Sequence, residues 1–443
     1  MNSKSFSFKV SLPVILLLIL LGCSAHSPHN RTFVSTSIKD RVGYGIPNEA
    51  QIDTIKIPND VTLDDGITEE EAVAIALWNN AQFQVDIMAL GFARADLIEA
   101  GLFHNPIFSL LFPVGPKQLE AALNLPIEVL WQRPNRVAAA KLNSEKVAEN
   151  LIQHGLALVR DVNVAFADLS LAQERAKIIA DEVILRNDIA KIAAARLRAG
   201  DISELEETAI RLIASQAREA AIRYIRDAKI ETIRLKTLLG LISENVDFQF
   251  QTSPNQMIST LDSARLIKTA LAARPDLRAA ELAIEVAGKR LGWERSKIFN
   301  LTAVLDANGE GKEGFEMGPG VQLAVPIFNW NNGGTSRAHA EMEQAAKQYI
   351  AVQHSIIKEV LESYENYRAA QKLYEILREE IVPAASRAVR NGEKAYLVGE
   401  ISYLEFLEFK RQLLDSRFRL AEAEAELRRS IANLHYSTGS KDI

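Results

Sequence analysis

One cysteine in 443 residues means that no disulfide can form within the chain, whatever the redox state of its compartment. Proline and glycine are few as well, at 14 and 22, and unevenly placed. No proline lies between Pro134 and Pro254, and only Pro383 lies between Pro326 and the C-terminus. Proline-free stretches rich in Ala, Leu, Ile, Glu and Arg read as long helices. Beyond residue 22 charges interrupt every apolar run, which excludes a transmembrane helix there. A basic excess is missing too. The formal net charge is −6, and setting aside residues 1–22, whose only charges are Lys4 and Lys9, takes it to −8. Nucleic-acid binders carry a basic stripe, so no nucleic-acid partner is expected.

What is present starts at the single thiol. Lys4 and Lys9 precede Val10 to Leu21, a run apolar except for Ser11 and Pro13, which ends in Leu20-Leu21-Gly22-Cys23-Ser24. A charged start, a short apolar middle and small residues at the end make an export signal, too short for the about 20 apolar residues of a spanning helix. The string resembles the lipobox of bacterial lipoproteins, which implies lipidation at Cys23 once residues 1–22 are removed. A free structural cysteine is the alternative.

The remainder reads as a duplication. Ala76-Leu77-Trp78-Asn79-Asn80-Ala81-Gln82-Phe83 matches Ala270-Leu271-Ala272-Ala273-Arg274-Pro275-Asp276-Leu277. Leu125-Pro126-Ile127 matches Val325-Pro326-Ile327, and Gly200-Asp201-Ile202-Ser203-Glu204-Leu205 matches Gly399-Glu400-Ile401-Ser402-Tyr403-Leu404. The order and near-constant offset divide the chain into a signal segment (1–22), a polar linker after the anchor (23–66), a first repeat (67–241), a second linker (242–258), a second repeat (259–436) and a tail (437–443).

Each repeat reads as helix, two short strands, long helix, turn, helix. In the first, a helix is predicted from Thr68 to Ala100 with Thr68 and Glu71 as a capping box. Extended segments follow over Ile107 to Phe112 and Ala122 to Leu130, joined by a turn with Gly115 and Pro116. After Pro134 the apolar spacing is helical to Ala199. In the second, Leu301, Ala303, Leu305 and Ala307 alternate with polar positions, broken by Val304, and Val321, Leu323 and Val325 do so beyond a glycine-rich loop, Gly309 to Gly320. Such alternation suits a barrel strand between lipid and water, or a soluble two-sheet fold with one buried face. Four strands cannot close a barrel and an open edge cannot face hydrocarbon, so membrane strands would require several chains around a cyclic axis.

These residues resemble the TolC-type outer-membrane efflux channels, the outer component of tripartite pumps, over about residues 62 to 436. The resemblance rests on the repeated Ala-Leu opening, the Gly101-Leu102-x-x-Asn105-Pro106 break, the Pro-Ile pair after each second strand and the Gly-x-Ile-Ser turns. The string Pro326-Ile327-Phe328-Asn329-Trp330-Asn331 is most similar to the branch serving heavy-metal pumps of the resistance-nodulation-division class. The resemblance implies a mainly helical fold with a membrane β-barrel: a homotrimer with a twelve-strand barrel in the outer membrane and a helical periplasmic tunnel. It implies a lipid-anchored, passive, gated conduit that exports small molecules or metal ions and meets a periplasmic adaptor and an inner-membrane pump. A pore-free coiled-coil scaffold or adaptor lipoprotein is the rival reading.

By the same resemblance, Gly200, Asp201, Ile202 and Ser203, and Gly399, Glu400, Ile401 and Ser402, are tips that dock the adaptor. A turn role alone also explains them, glycine supplying a left-handed residue and serine a cap. Glu405 and Glu408, on one helix face, match acids that narrow the tunnel mouth, and Tyr396 a residue that links neighbouring coils there. An ordinary solvated acidic face is the alternative. Ala209 stands where a first-repeat counterpart of Glu408 would be, so the inner ring belongs to the second repeat. His26, His29, His104, His154, His339, His354 and His435 show no metal-ligand spacing, the Gly309 to Gly320 segment lacks the strand-to-helix context of a nucleotide loop, and no nucleophile, acid and base set emerges. Neither a cofactor, a resident metal nor an enzymatic activity is expected.

Overall fold

The computed structural model describes residues 26–47, 56–58, 61, 66–112, 119–242, 262–310 and 314–441. The export signal, Cys23, the turn at Gly115 and Pro116 and all of the second linker except Ile242 lie outside the described residues. The chain divides into two compact units. One gathers residues up to 33, 87–150 and 276–352, the other residues 34–86, 151–275 and 353–443.

In the second of these units, α1 (Arg31–Val42) falls inside what the sequence presents as a polar linker. Its Val34 and Ile38 are fully buried. Ile38 packs where Gly155 leaves room, since a Cβ there would come within 2.7 Å of its Cδ1. Arg41 donates to the Ala273 carbonyl at 3.3 Å, and Trp78 donates its indole N–H to the Gly45 carbonyl at 3.1 Å. The segment is thus bonded to both repeats.

The helix predicted over Thr68 to Ala100 is two helices, α2 (Glu69–Asn79) and α3 (Ala81–Gly101). The Thr68–Glu71 capping box is present. Between them Asn80 takes an extended backbone, accepts from the Phe83 N–H at 2.9 Å and donates to the Leu238 carbonyl at 2.9 Å. Its counterpart Arg274 likewise separates α6 (Ser263–Ala273) from α7 (Pro275–Ser296). Arg274 is 3% exposed and is satisfied by Glu359 at 2.6 Å and by the Ser437 carbonyl at 3.3 Å. A buried charge persists only with such partners. The repeated Ala-Leu motif therefore marks a helix break held by a buried polar side chain.

α4 (Val129–Ala199) is 71 residues long, about 105 Å at 1.5 Å per residue. It begins before Pro134 rather than after it, so Pro134 lies inside the helix near its start and withholds one N–H from the backbone ladder there. Leu130 accordingly belongs to this helix and not to the strand expected to reach it. α5 (Glu204–Leu238) returns. The second repeat matches them with α8 (Asn332–Ile376), a π-turn (Leu377–Ile381), α9 (Val382–Leu397) and α10 (Tyr403–Thr438). The π-turn precedes Pro383, which has no N–H and whose ring needs space in the preceding turn. It also displaces the inward seam. Val360, Tyr367, Tyr374 and Leu377 are buried, yet Ala384, seven residues on, is exposed, and the seam resumes at Ala385, Val389 and Gly392. Leu171 and Ile178 of α4 form one apolar cluster with Ala421 and Ala425 of α10. Arg429 reaches across to Asp168 at 2.7 Å, and Arg175 pairs with Glu422.

The other unit holds one antiparallel sheet, β1 (Ile107–Leu111), β2 (Leu119–Pro126), β3 (Asn300–Glu310) and β4 (Gly314–Ala324), in that spatial order. The sheet joins the repeats through β2 and β3, with Leu123 opposite Leu305. The expected glycine-rich loop is mostly strand, since Gly318 and Gly320 pair with Asp306 and Val304. Among the described residues β1 and β4 have no neighbour on their outer edges.

Gly240 closes α5 with φ +70°, and a Cβ there would lie 2.1 Å from the Asn79 carbonyl oxygen. Gly200, at φ +79°, has nothing within 4 Å. Gly200→Ala should therefore cost only the backbone penalty, about 1–3 kcal/mol, whereas Gly240→Ala must also push backbone apart. Thermal unfolding of the two variants in detergent should show a clearly larger loss for Gly240→Ala.

Candidate functional site

The register sorts the sheet's side chains by face, because residues paired across antiparallel strands share a side. One face carries Phe108, Leu110, Leu119, Ala121, Leu123, Leu125, Leu301, Ala303, Leu305, Ala307, Met317, Pro319, Val321 and Leu323. No polar side chain interrupts it. The opposite face carries Ser109, Glu120, Asn124, Asn300, Thr302, Asp306, Asn308, Glu316 and Gln322 with small residues, and Ile107, Leu111, Pro126 and Val304 are its larger apolar members. The apolar face is bare within the chain: Phe108 is 66% exposed, Val321 69% and Met317 64%. No described helix is long and apolar enough to cross a membrane.

At the α4–α5 turn Gly200 adopts φ +79°, and Asp201 N–H donates back to the Arg196 carbonyl at 2.9 Å, which closes the helix end as left-handed C-caps do. Ser203 accepts from Glu206 N–H at 3.2 Å. The α9–α10 turn repeats the arrangement: Gly399 has φ +81°, Glu400 N–H donates to the Ala395 carbonyl at 2.9 Å, and Ser402 accepts from Glu405 N–H at 3.2 Å. Only here is the box closed by the acid, as Glu405 accepts from the Ser402 N–H at 2.8 Å and hydroxyl at 2.9 Å. These bonds hold its carboxyl below the ordinary carboxylate range. Ile202 and Ile401 are half-buried, while the glycines, Asp201, Glu400 and both serines are exposed.

Glu408 forms a fork with Arg411, at 2.9 Å to Nε and 2.7 Å to Nη2, and this pairing depresses its pKa. Tyr396 stacks on Phe406 at 5.7 Å between centroids and 5° between planes, and tilts against Tyr403 at 5.5 Å. Phe409 fills the space over Gly392, where a Cβ would meet its ring at 2.7 Å. Burial pushes the Tyr403 hydroxyl up to about 12. The sequence reading named Tyr396 without its partners, although Tyr403, Phe406 and Phe409 recur every three residues and could have revealed a shared face. Among the histidines, His154 pairs with Asp86 at 3.0 Å and burial lowers the His29 pKa. Among the described residues no group of three His, Cys, Asp or Glu is arranged to hold a metal.

A two-faced membrane sheet joined to long paired helices defines a class of outer-membrane channel. The outer membrane efflux protein family matches residues 115–241 and 266–440, and this chain belongs to it. The cobalt-zinc-cadmium resistance protein CzcC of Cupriavidus metallidurans is 24% identical over 365 residues, covering 80% of this chain and 85% of that protein. The fold is similar to the Campylobacter jejuni CmeC outer membrane channel, with TM-score 0.72, 15% identity and coverage of 89% and 92%. It is also similar to the outer-membrane channel OprN, with TM-score 0.71, 20% identity and coverage of 90% and 98%. The protein is an outer-membrane channel for efflux, a conduit and not an enzyme.

The second tip makes a pH-dependent cap. Glu405 has a folded pKa below its ordinary 4.5, so the cap is intact above that value and is lost as pH falls through the depressed one. Amide-exchange protection at Ser402 to Glu405, taken relative to the intrinsic rate at each pH, should be higher at neutral pH and fall in acid. Glu405→Gln should remove the pH dependence, whereas Ser402→Ala keeps the backbone N–H bond to Glu405, should only weaken that dependence and should cost about 1 kcal/mol locally.

Proposed function

We propose that three copies of the chain pool their sheets into a twelve-strand barrel across the outer membrane, with the helical hairpins forming a periplasmic tunnel that meets an adaptor and an inner-membrane pump. The observation that carries this reading is the uninterrupted apolar sheet face beside two free edges. With four strands per chain, β1 and β4 run in opposite directions. A head-to-tail ring therefore sets each β4 edge antiparallel to a β1 edge and pairs backbone groups that hydrocarbon could not satisfy. The polar face then lines water and the apolar face meets lipid.

The tunnel mouth lies at the α9–α10 tip in this reading. Glu405 and Glu408, repeated by symmetry, place rings of carboxylates around the axis, and Tyr396 packs the coil that positions them. Opening requires the hairpins to move apart. The tips around Gly200–Ser203 and Gly399–Ser402 present the adaptor-docking surface, supported by exposed Leu205, Leu397 and Val398 beside them. Cys23 carries lipid that adds to the hold of the barrel. A pump of the resistance-nodulation-division class supplies the energy. Divalent heavy-metal cations are the cargo class, a reading supported by the CzcC relative.

The mass of the purified protein in detergent should be that of a trimer, and Cys23→Ala should still require detergent for extraction. A delipidated protein that is a water-soluble monomer would refute the channel and favour the scaffold. In planar bilayers, Glu405→Ala/Glu408→Ala should raise conductance and weaken cation preference, and an unchanged channel would dismiss those two acids as the constriction.

A further inference from the structure

A cleft of about 420 Å³ lies between the last turns of α7 and the first turns of α8, and nothing in the efflux reading uses it. It is lined by Arg290, Trp293, Glu294, Gly333, Arg337 and Glu341 among others. Its charges do not cancel. Glu294 is consumed within the wall, since its carboxylate takes bonds from Lys297 and from Asn331 Nδ2 at 3.0 Å, and the Lys297 ammonium also sits 3.9 Å over the Trp293 ring. Arg290 and Arg337 are exposed, and neither enters an ion pair among the described residues. Glu341 alone opposes them.

The position of the cleft suggests what fills it. Arg290 lies six residues from the end of α7 and Arg337 five from the start of α8, so both guanidiniums lie within about 10 Å of the helix ends that lead into β3 and from β4. Between cleft and sheet come Phe299, Ile327, Phe328 and Trp330, at 53%, 68%, 99% and 52% exposure. Exposed aromatic residues at the end of a lipid-facing surface belong at the interface, and the headgroup layer outside the hydrocarbon is about 5–8 Å thick on each side. Two unpaired guanidiniums at that depth offer bidentate donors to phosphate oxygens.

We propose that the Arg290–Arg337 cleft binds the phosphate of an anionic phospholipid headgroup from the periplasmic leaflet. Glycine at position 333, with no atom within 4 Å of its missing Cβ, keeps the approach to Arg337 open. The proposal rests on the outer-membrane placement of the sheet.

The test uses the full chain in a non-ionic detergent, titrated with dioleoylphosphatidylglycerol, with dioleoylphosphatidylcholine and with inorganic phosphate while the thermal midpoint is followed. Phosphatidylglycerol should raise the midpoint several degrees more than phosphatidylcholine, and Arg290→Gln/Arg337→Gln should abolish that difference. Should the double variant fail to fold, Glu341→Gln decides, because removal of the opposing acid should lower the half-saturating phosphatidylglycerol concentration several-fold. Equal responses to the two lipids, a full response in the double variant, or an unchanged half-saturation in Glu341→Gln would overturn the site. A shift reproduced by inorganic phosphate alone would overturn the lipid assignment in favour of free phosphate. A protein that conducts in bilayers yet ignores phosphatidylglycerol refutes this site only, whereas one that neither conducts nor needs detergent refutes the membrane reading beneath it.

Discussion

Along β1 and β4 the outer edges have no strand neighbour among the described residues, and hydrocarbon can supply no partner for their backbone N–H and C=O groups. Each such group left bare in lipid costs several kcal/mol. The face those strands share is at the same time too apolar to leave in water. The two demands together are what the proposed pairing of strands with identical neighbours would meet. Much else is subordinate to that requirement. The duplication supplies the chain with two strand pairs joined through β2 and β3.

The hairpin unit shows a second economy. Its tips use the same solution twice, a left-handed glycine followed by a capping serine, but only one tip recruits the acid of its box. Glu405 is thereby a structural residue before it is anything else, and Glu408 is half of a surface ion pair with Arg411. Both remain ionised at neutral pH because their bonds favour the charged form. A constriction built from them would carry fixed negative charge without the acids having to repel one another into protonation.

Much of this was legible in the sequence because it follows from local chemistry. The Thr68 to Glu71 spacing, the Gly-x-Ile-Ser turns and the alternation from Leu301 to Ala307 each dictate a backbone state unaided. What escaped depends on distant partners. Asn80 divides a helix because Leu238, 158 residues later, accepts its amide, and no periodicity announces that. Arg274 looks like a surface residue until Glu359 and Ser437 close around it. α1 was hidden in a polar segment because two residues, Val34 and Ile38, carry its burial. Strand limits moved for a similar reason: Gly318 and Gly320 read as loop, yet β3 holds them in register.

The π-turn at Leu377–Ile381 exists in one repeat only. One extra residue turns everything beyond it by about 100° about the helix axis, so α9 presents a different set of side chains from the one its counterpart in α4 presents at equal depth. A cylinder assembled from such protomers cannot have true sixfold symmetry along its helical length, however closely the two repeats agree at their tips. In the proposed trimer, grooves between hairpins would alternate in shape around the rim, and a ring of partners bound there would meet two kinds of site in succession.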